Sequence, residues 1–366
     1  VVFPLSLKID NIPYFITLSV FEKKALLLPG MRYNPFFRKI PEEGGLFMPK
    51  RLSLKRLSVD MVKSLLQLIE DEVKESSHKK KRGRPKVYSE SFILLVFFIK
   101  VMRGYSFRDT VFYLEEILNV KMPAISTLHY RFSKLDVSHF EKLFEKVLEK
   151  LEVQDTLELM VVDGTGFGYD EKQRLNWMRG KKIREVSSHV KVEIIVGRKE
   201  KGGESILVGV GMGPAYSDER KLLLELIENI GIKARCVIGD ALYGMSVESL
   251  EKFFERSDFV LVPVRDTLYT KVMNPLRKKV KQMYEANREK YRERYVVEQV
   301  IGKIKNAYGR CEGTKSFEMA KKSVWVKMIL YNWVRLIFLF TLIRRAFLYR
   351  GLFQPLRWFS YYQDNE

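Results

Sequence analysis

The chain of 366 residues carries 65 Lys and Arg against 45 Asp and Glu, a net charge of +20, with 46% hydrophobic residues. That length implies two or three domains, and the apolar content supplies a sizeable core and excludes a disordered chain. Cys236, Cys311 and four scattered His residues exclude a disulfide framework and a zinc cluster, while the basic excess predicts a polyanionic partner, nucleic acid ahead of an anionic membrane.

Residues 1–47 read as an extension outside the main domains. Asp10 and Asn11 break its first apolar stretch, so no signal peptide is legible, and a reducing, cytoplasmic setting is expected. A new segment opens at Met48 and runs into a charged amphipathic helix over 59–74. The strip at 79–86 then places six cations in eight positions. Gly83 and Pro85 keep it from being a regular helix. As an extended strip it can lie along phosphates, with Arg82, Arg84 and Lys86 as DNA contacts. Arg82-Gly83-Arg84-Pro85 resembles a minor-groove-binding core.

Ser89 is expected to cap a buried helix over 90–103 that ends at Gly104, and Ser106 a second helix over 107–118. Ser126 is expected to cap a third, which carries His129, Arg131 and Lys134. Three short helices with tight turns, the last one basic, read as a helix-turn-helix unit with Arg131 among its DNA contacts.

From residue 157 the period shifts to that of strands. Strands are predicted over 157–163, ending at Asp163; over 189–197; over 205–212 after a hairpin turn; over 235–240, ending at Asp240; and over 259–264. Helices are expected from Ser217 or Asp218 through 230 and over 247–254, then a basic linker, then a long helix over 288–305. Three meandering strands, then alternating helices and strands, is the order of an RNase H-like domain with a mixed five-stranded sheet. Two strands that end in Asp can bring both carboxylates to one edge of that sheet, where magnesium is held by a few hard oxygen ligands.

The last of these helices offers a third acid. Tyr291, Arg294, Glu298 and Lys305 fall within roughly 60° of one another at 3.6 residues per turn. Val297, Val300, Ile301 and Ile304 form the adjoining apolar stripe. Asp170, Asp218 and Glu193 are other acids of the segment, for which surface or capping roles are expected. The apolar stretch 324–343 is broken by Lys327 and Arg335, and its charge-free run of eight residues is too short to span a bilayer, so it reads as a buried helix.

These residues resemble the DDE transposases of bacterial and archaeal insertion sequences. The subgroup signature Tyr-(2)-Arg-(3)-Glu-(6)-Lys is matched by Tyr291, Arg294, Glu298 and Lys305, and the DGTGF at Asp163 and GDALYG at Asp240 are similar to the motifs around the family's first two acids. The resemblance covers about residues 80–345. One departure is Ala241-Leu242 where Lys-Gly is common, with Tyr243 retained. The resemblance implies two Mg2+ ions, replaceable by Mn2+, with Asp163 bridging both and Asp240 and Glu298 each holding one. It also implies that Tyr291, Arg294 and Lys305 position terminal nucleotides and phosphates. The implied activity is cleavage of double-stranded DNA at element ends and joining of the freed 3′ ends to target DNA, by a homodimer at the nucleoid of a prokaryote.

The expected organisation is the extension over 1–47, a helical DNA-binding domain over 48–150, a catalytic domain over 151–345 and a tail over 346–366. A DNA-binding regulator that keeps the fold without chemistry would lack an acid, and none is missing. A nuclease that cuts without joining differs only at the signature helix. A dehalogenase-type phosphatase needs an Asp where Val161 stands, and the glycines at 164–168 lack dinucleotide-binding spacing.

Overall fold

The computed structural model describes residues 59–76, 87–118, 121–153, 156–177, 182–265 and 273–353. The extension at 1–47, the strip with Arg82, Arg84 and Lys86, and the tail from 354 lie outside them.

Helix α1 (Val59–Ser76) leads to α2 (Glu90–Arg103), whose Ser89 Oγ accepts from the Phe92 N–H at 3.1 Å, as the sequence pattern predicts. Eleven of the fourteen α2 residues are buried, and Gly104 ends the helix in the left-handed conformation at φ 68°, which a side chain would strain. In α3 (Phe107–Leu118), Ser106 Oγ accepts from the Asp109 N–H, and Asp109 answers by accepting from the Ser106 N–H, a reciprocal cap. The third expected cap differs. Helix α4 (Ile125–Lys134) starts behind Ala124, with Ser126 inside its first turn. Residues 124–127 are exposed, so the first N–H groups are open to solvent and no side-chain cap is required. Helix α5 (Ser138–Lys150) completes the unit.

The half from residue 156 onward is a mixed sheet covered by helices. Strands β2 (Leu159–Trp177), β3 (Lys182–Arg198) and β4 (Ser205–Pro214) pair antiparallel, and β6 (Val237–Ile238) and β7 (Val260–Leu261) add in parallel, giving the order β4-β3-β2-β6-β7. The short strands β1 (Thr156–Leu157) and β5 (Lys233–Ala234) pair with each other, and β8 (Cys311–Glu312), which the pattern did not foretell, joins β2. Between the strands lie α6 (Glu219–Asn229) and α7 (Val247–Arg256).

Four further expectations change. Strand β2 does not end at Asp163 but continues through Gly164-Thr165-Gly166, paired residue by residue with β3, because β3 keeps offering partners as far as His189. Asp240 stands two residues beyond β6, in a turn leading to the 3-10 segment Tyr243–Met245. The basic linker contains a helix, α8 (Pro275–Ala286), started by Asn274 Oδ1 accepting from the Arg277 N–H with Pro275 in its first turn. The expected single helix over 288–305 is α9 (Arg288–Tyr291), a 3-10 turn (Arg292–Arg294) and α10 (Tyr295–Tyr308).

Helix α11 (Phe317–Phe353) holds the two halves together. It packs on α2 and α5 on one side and on β3 and β4 on the other. Phe144 of α5 meets Trp325 edge-on at 5.7 Å, and one hydrophobic cluster runs from Leu65 to Leu336. The stretch read as a buried helix is buried at Val324, Val326, Ile329, Leu330 and Trp333, and no described helix is long and apolar enough to cross a membrane. Asn332, fully buried, serves the edge strand β4. Its Oδ1 accepts from the Leu207 N–H at 3.0 Å and its Nδ2 donates to the Leu207 carbonyl at 2.8 Å. Sheet edges need such cover because their backbone groups otherwise stay unpaired. Replacing Asn332→Ala should lower unfolding free energy by about 1–3 kcal/mol, measured by urea denaturation, since it strands two buried backbone groups. An unchanged midpoint would show that the pair is dispensable.

Candidate active site

On one edge of β2, strand β6 pairs only as far as Val161, and β8 begins at Gly168. Among the described residues no strand pairs with that edge between these points, which leaves a notch in the sheet. Asp163 and Thr165 lie along the notch. Helix α10 crosses it because Val296, Val297, Val300 and Ile304 are buried on its apolar face. Ile301, the remaining member of the expected stripe, is half-buried.

The border of that face carries the signature residues. Arg294 Nη2 donates to Asp163 Oδ2 at 3.2 Å and its Nη1 to Glu298 Oε1 at 2.8 Å, so one guanidinium bridges the first and third acids. Eleven residues further on, Lys305 Nζ donates to Thr165 Oγ1 at 2.7 Å and sits 5.3 Å over the Phe167 ring. Tyr291 packs edge-on against Tyr284 of α8, with ring centroids 4.9 Å apart. Asp240 Oδ1 accepts from the Ala241 N–H at 2.6 Å, which fixes its carboxylate in the turn after β6.

The electrostatics show that the three acids share one field. Burial, the largest influence, raises the Asp163 carboxyl above the ordinary carboxylate range; Arg294 and the Gly164 N–H pull it back, and Asp240 and Glu298 push it further up. Burial lowers the Arg294 guanidinium, but Asp163, Tyr291, Asp240 and Glu298 together outweigh this and leave it raised. Among the described residues no three His, Cys, Asp or Glu side chains stand close enough together to hold a metal ion. Arg294 lies between two of the acids and supplies positive charge there. Carboxylate oxygens, which Asp163, Asp240 and Glu298 all offer, are the hard donors that a divalent cation takes.

Arg131 is half-buried, and its Nη1 donates to the Tyr88 carbonyl at 2.6 Å, while His129, Tyr130 and Lys134 of the same helix are exposed. Asp218 caps α6 by accepting from the Arg220 N–H, and Asp170 is exposed, as expected of both. Glu193 is not a surface or capping acid. It is fully buried on β3, opposite Gly164, and its Oε1 accepts from the Tyr243 hydroxyl. The alternation His189, Lys191, Glu193 against Val190, Val192, Ile194 marked this polar face, but not that α6 and Tyr243 would close over Glu193. Thr165 and Glu219 also went unremarked; Glu219 Oε1 pairs with Lys191 Nζ at 3.1 Å on that same face.

Glu193 makes a pH test possible. Burial first, then the Glu219 and Asp163 carboxylates, push it from 4.5 up to about 8 against the lowering by its Tyr243 bond. The folded state therefore keeps a proton that the unfolded chain releases near pH 4.5. The stability this contributes is full below that pH and is lost as pH rises towards about 8. In denaturation series from about pH 5 to 8, Glu193→Gln should flatten a decline seen in the parent protein. An equal slope in both would place the decline elsewhere.

Residues 154–333 match the family described as Transposase DDE domain. A protein of Aquifex aeolicus (strain VF5), described as uncharacterized, is 39% identical over 266 residues, covering 71% of this chain and 82% of that relative. Among solved structures, similarity extends to the piggyBac transposase synaptic complex with hairpin DNA (9% identity, TM-score 0.39, 77% of this chain and 72% of that one). It also extends to the Drosophila P element transposase strand transfer complex (11% identity, TM-score 0.27, 56% of this chain). This chain spans 47% of the length of the P element chain. With the Transposase DDE domain matched over residues 154–333 and a relative 39% identical over most of its length, the chain belongs to the DDE transposases.

Proposed function

We propose that this protein binds the ends of an insertion sequence, cleaves DNA phosphodiester bonds there and joins the freed 3′ ends to target DNA, through an RNase H-like domain. The observation that carries the reading is the Arg294 bridge between Asp163 and Glu298 at the open notch of β2, with Asp240 in the same field. The helix that carries Glu298 and Lys305 meets the strand that carries Asp163 and Thr165, which supports that reading.

Asp163, Asp240 and Glu298 would hold two divalent cations, Mg2+ or Mn2+. Such ions activate a water oxygen as nucleophile and stabilise charge on the leaving oxygen. In cleavage, a water oxygen bonds to phosphorus as the P–O3′ bond breaks; in joining, the freed 3′ hydroxyl bonds to a target phosphorus as the target's own P–O3′ bond breaks and its 3′ hydroxyl leaves. Lys305, tethered at Thr165, and Arg294 set cations beside the notch, where they would bind flanking phosphates and orient the scissile group. Tyr291, braced by Tyr284, offers an aromatic face to a terminal nucleotide.

The exposed face of α4, with His129, Tyr130 and Lys134, would grip duplex DNA as the last helix of a helix-turn-helix unit. Arg82, Arg84, Lys86 and Arg131 are assigned to the same grip. Two copies acting on two ends make a homodimer, at work in the cytoplasm on the nucleoid.

The test is cleavage and joining of labelled DNA carrying the flanking element ends, with Mg2+ or Mn2+. Asp163→Ala, Asp240→Ala and Glu298→Ala should each reduce both products by on the order of a thousandfold while DNA binding persists. Substantial cleavage by Glu298→Ala would remove it from the site, and end binding without chemistry in the folded parent would favour a regulator. Lys134→Ala should weaken DNA binding across sequences and reduce the salt dependence by about one ion. An unaltered salt slope would take α4 off the phosphate backbone.

A further inference from the structure

A carboxyl buried without a countercharge costs more than an apolar side chain of the same size, so its position calls for a reason. Glu193 is 0% exposed in a strand whose neighbours Val192, Ile194 and Ile195 are apolar. Each of its oxygens faces a different acid-bearing segment. Oε1 takes the hydroxyl of Tyr243, itself buried. Tyr243 donates its own N–H to the Asp240 carbonyl at 3.1 Å, so its ring and the backbone of Asp240 move as one turn. Oε2 has no hydrogen-bond partner among the described residues and lies against Gly164, next to Asp163. A Cβ on Gly164 would stand 3.0 Å from it, closer than an ordinary contact, so the missing side chain lets the carboxyl sit tight against the strand.

The Asp240 turn is held from other sides as well. The Tyr243 ring packs edge-on against Phe253 at 5.9 Å, and Arg277 Nε of α8 donates to the Gly244 carbonyl at 3.1 Å. These contacts fix the turn to α7 and α8, but neither reaches β2. Behind the turn, β6 pairs with β2 only as far as Val161, and the Glu193–Tyr243 bond adds a side-chain tie from β3 at the level of Asp163.

We propose that Glu193 is a positioning residue that, through the Tyr243 hydroxyl, sets the separation of Asp163 and Asp240 and so the fit of the pair to a divalent cation. The inference rests on the reading that these acids bind metal. Partners behind metal ligands typically govern 10- to 100-fold of affinity.

The test titrates Mn2+ into the full chain and follows free Mn2+ by electron paramagnetic resonance, with thermal melts confirming folding. Tyr243→Phe, which removes only the hydroxyl, should weaken Mn2+ binding about tenfold. Glu193→Met, which fills similar space without an acceptor, should do the same and serves if Tyr243→Phe does not fold. Glu193→Gln keeps a carbonyl acceptor for Tyr243 and should bind as the parent does. Lowered melting temperatures with unchanged Mn2+ affinity in Tyr243→Phe and Glu193→Met would overturn the proposal, leaving Glu193 a structural residue. Weakening by Glu193→Gln equal to that of Glu193→Met would overturn it too. Mn2+ binding that is absent from the parent, or equal in Asp163→Ala, would instead overturn the metal reading and the inference with it.

Discussion

Carboxylates of like charge, drawn from a strand, a turn and a helix far apart in sequence, repel one another when gathered in a partly buried place, and something must hold them there. In this protein the first answer is the Arg294 guanidinium, donating to Asp163 on one side and Glu298 on the other. The rest of the catalytic half can be read as support for that bridge. The early end of β6 opens the notch, the apolar face of α10 fixes the height at which Arg294 crosses it, and Lys305 anchors the far end of the same helix at Thr165. A second cation in the network, Lys327, is fully buried, pairs with Glu312 of β8 and lies 5.1 Å over the Phe167 ring on the side of α11. Burial lowers Lys100 of α2, and Glu312 partly restores it, so the helical unit and the catalytic half meet through charges as well as through apolar contact.

Much of this was legible in the residues. Ser89 and Gly104 mark the ends of α2 because capping and left-handed turns depend on local chemistry alone. The succession of the five main strands along the chain follows from alternation and turn residues, and the spacing of Tyr291, Arg294, Glu298 and Lys305 put them on one helical border even though a 3-10 turn interrupts that helix. What escaped depends on distant partners. Strand β2 continues past Asp163 because β3 pairs with it, although Gly164-Thr165-Gly166 looks like a turn in isolation. A row of lysines with Pro275 resembles a linker until Val280 is buried and Asn274 caps the helix. Glu193 looked like an ordinary exposed strand acid, and only the arrival of Tyr243 from fifty residues away makes it a buried one.

The sequence divides into a helical unit and a sheet-bearing unit, but the interior does not observe that division. Helix α11 contributes Trp325 to the packing of α5 and Asn332 to the edge of β4, and Lys322 donates to the Phe132 carbonyl at the end of α4. A single core therefore spans both units.

A shared core has a geometric corollary. Two domains on a flexible linker can recognise DNA at one place and cut it over a range of distances, but units welded along a common helix have no hinge. On the proposed reading of α4 and of the notch at Asp163, the two would be marks on one ruler, and α11 would fix the interval between a gripped base pair and the bond presented for cleavage. Sliding along the duplex would carry both marks together, so the register of the cut would be decided at the moment of recognition.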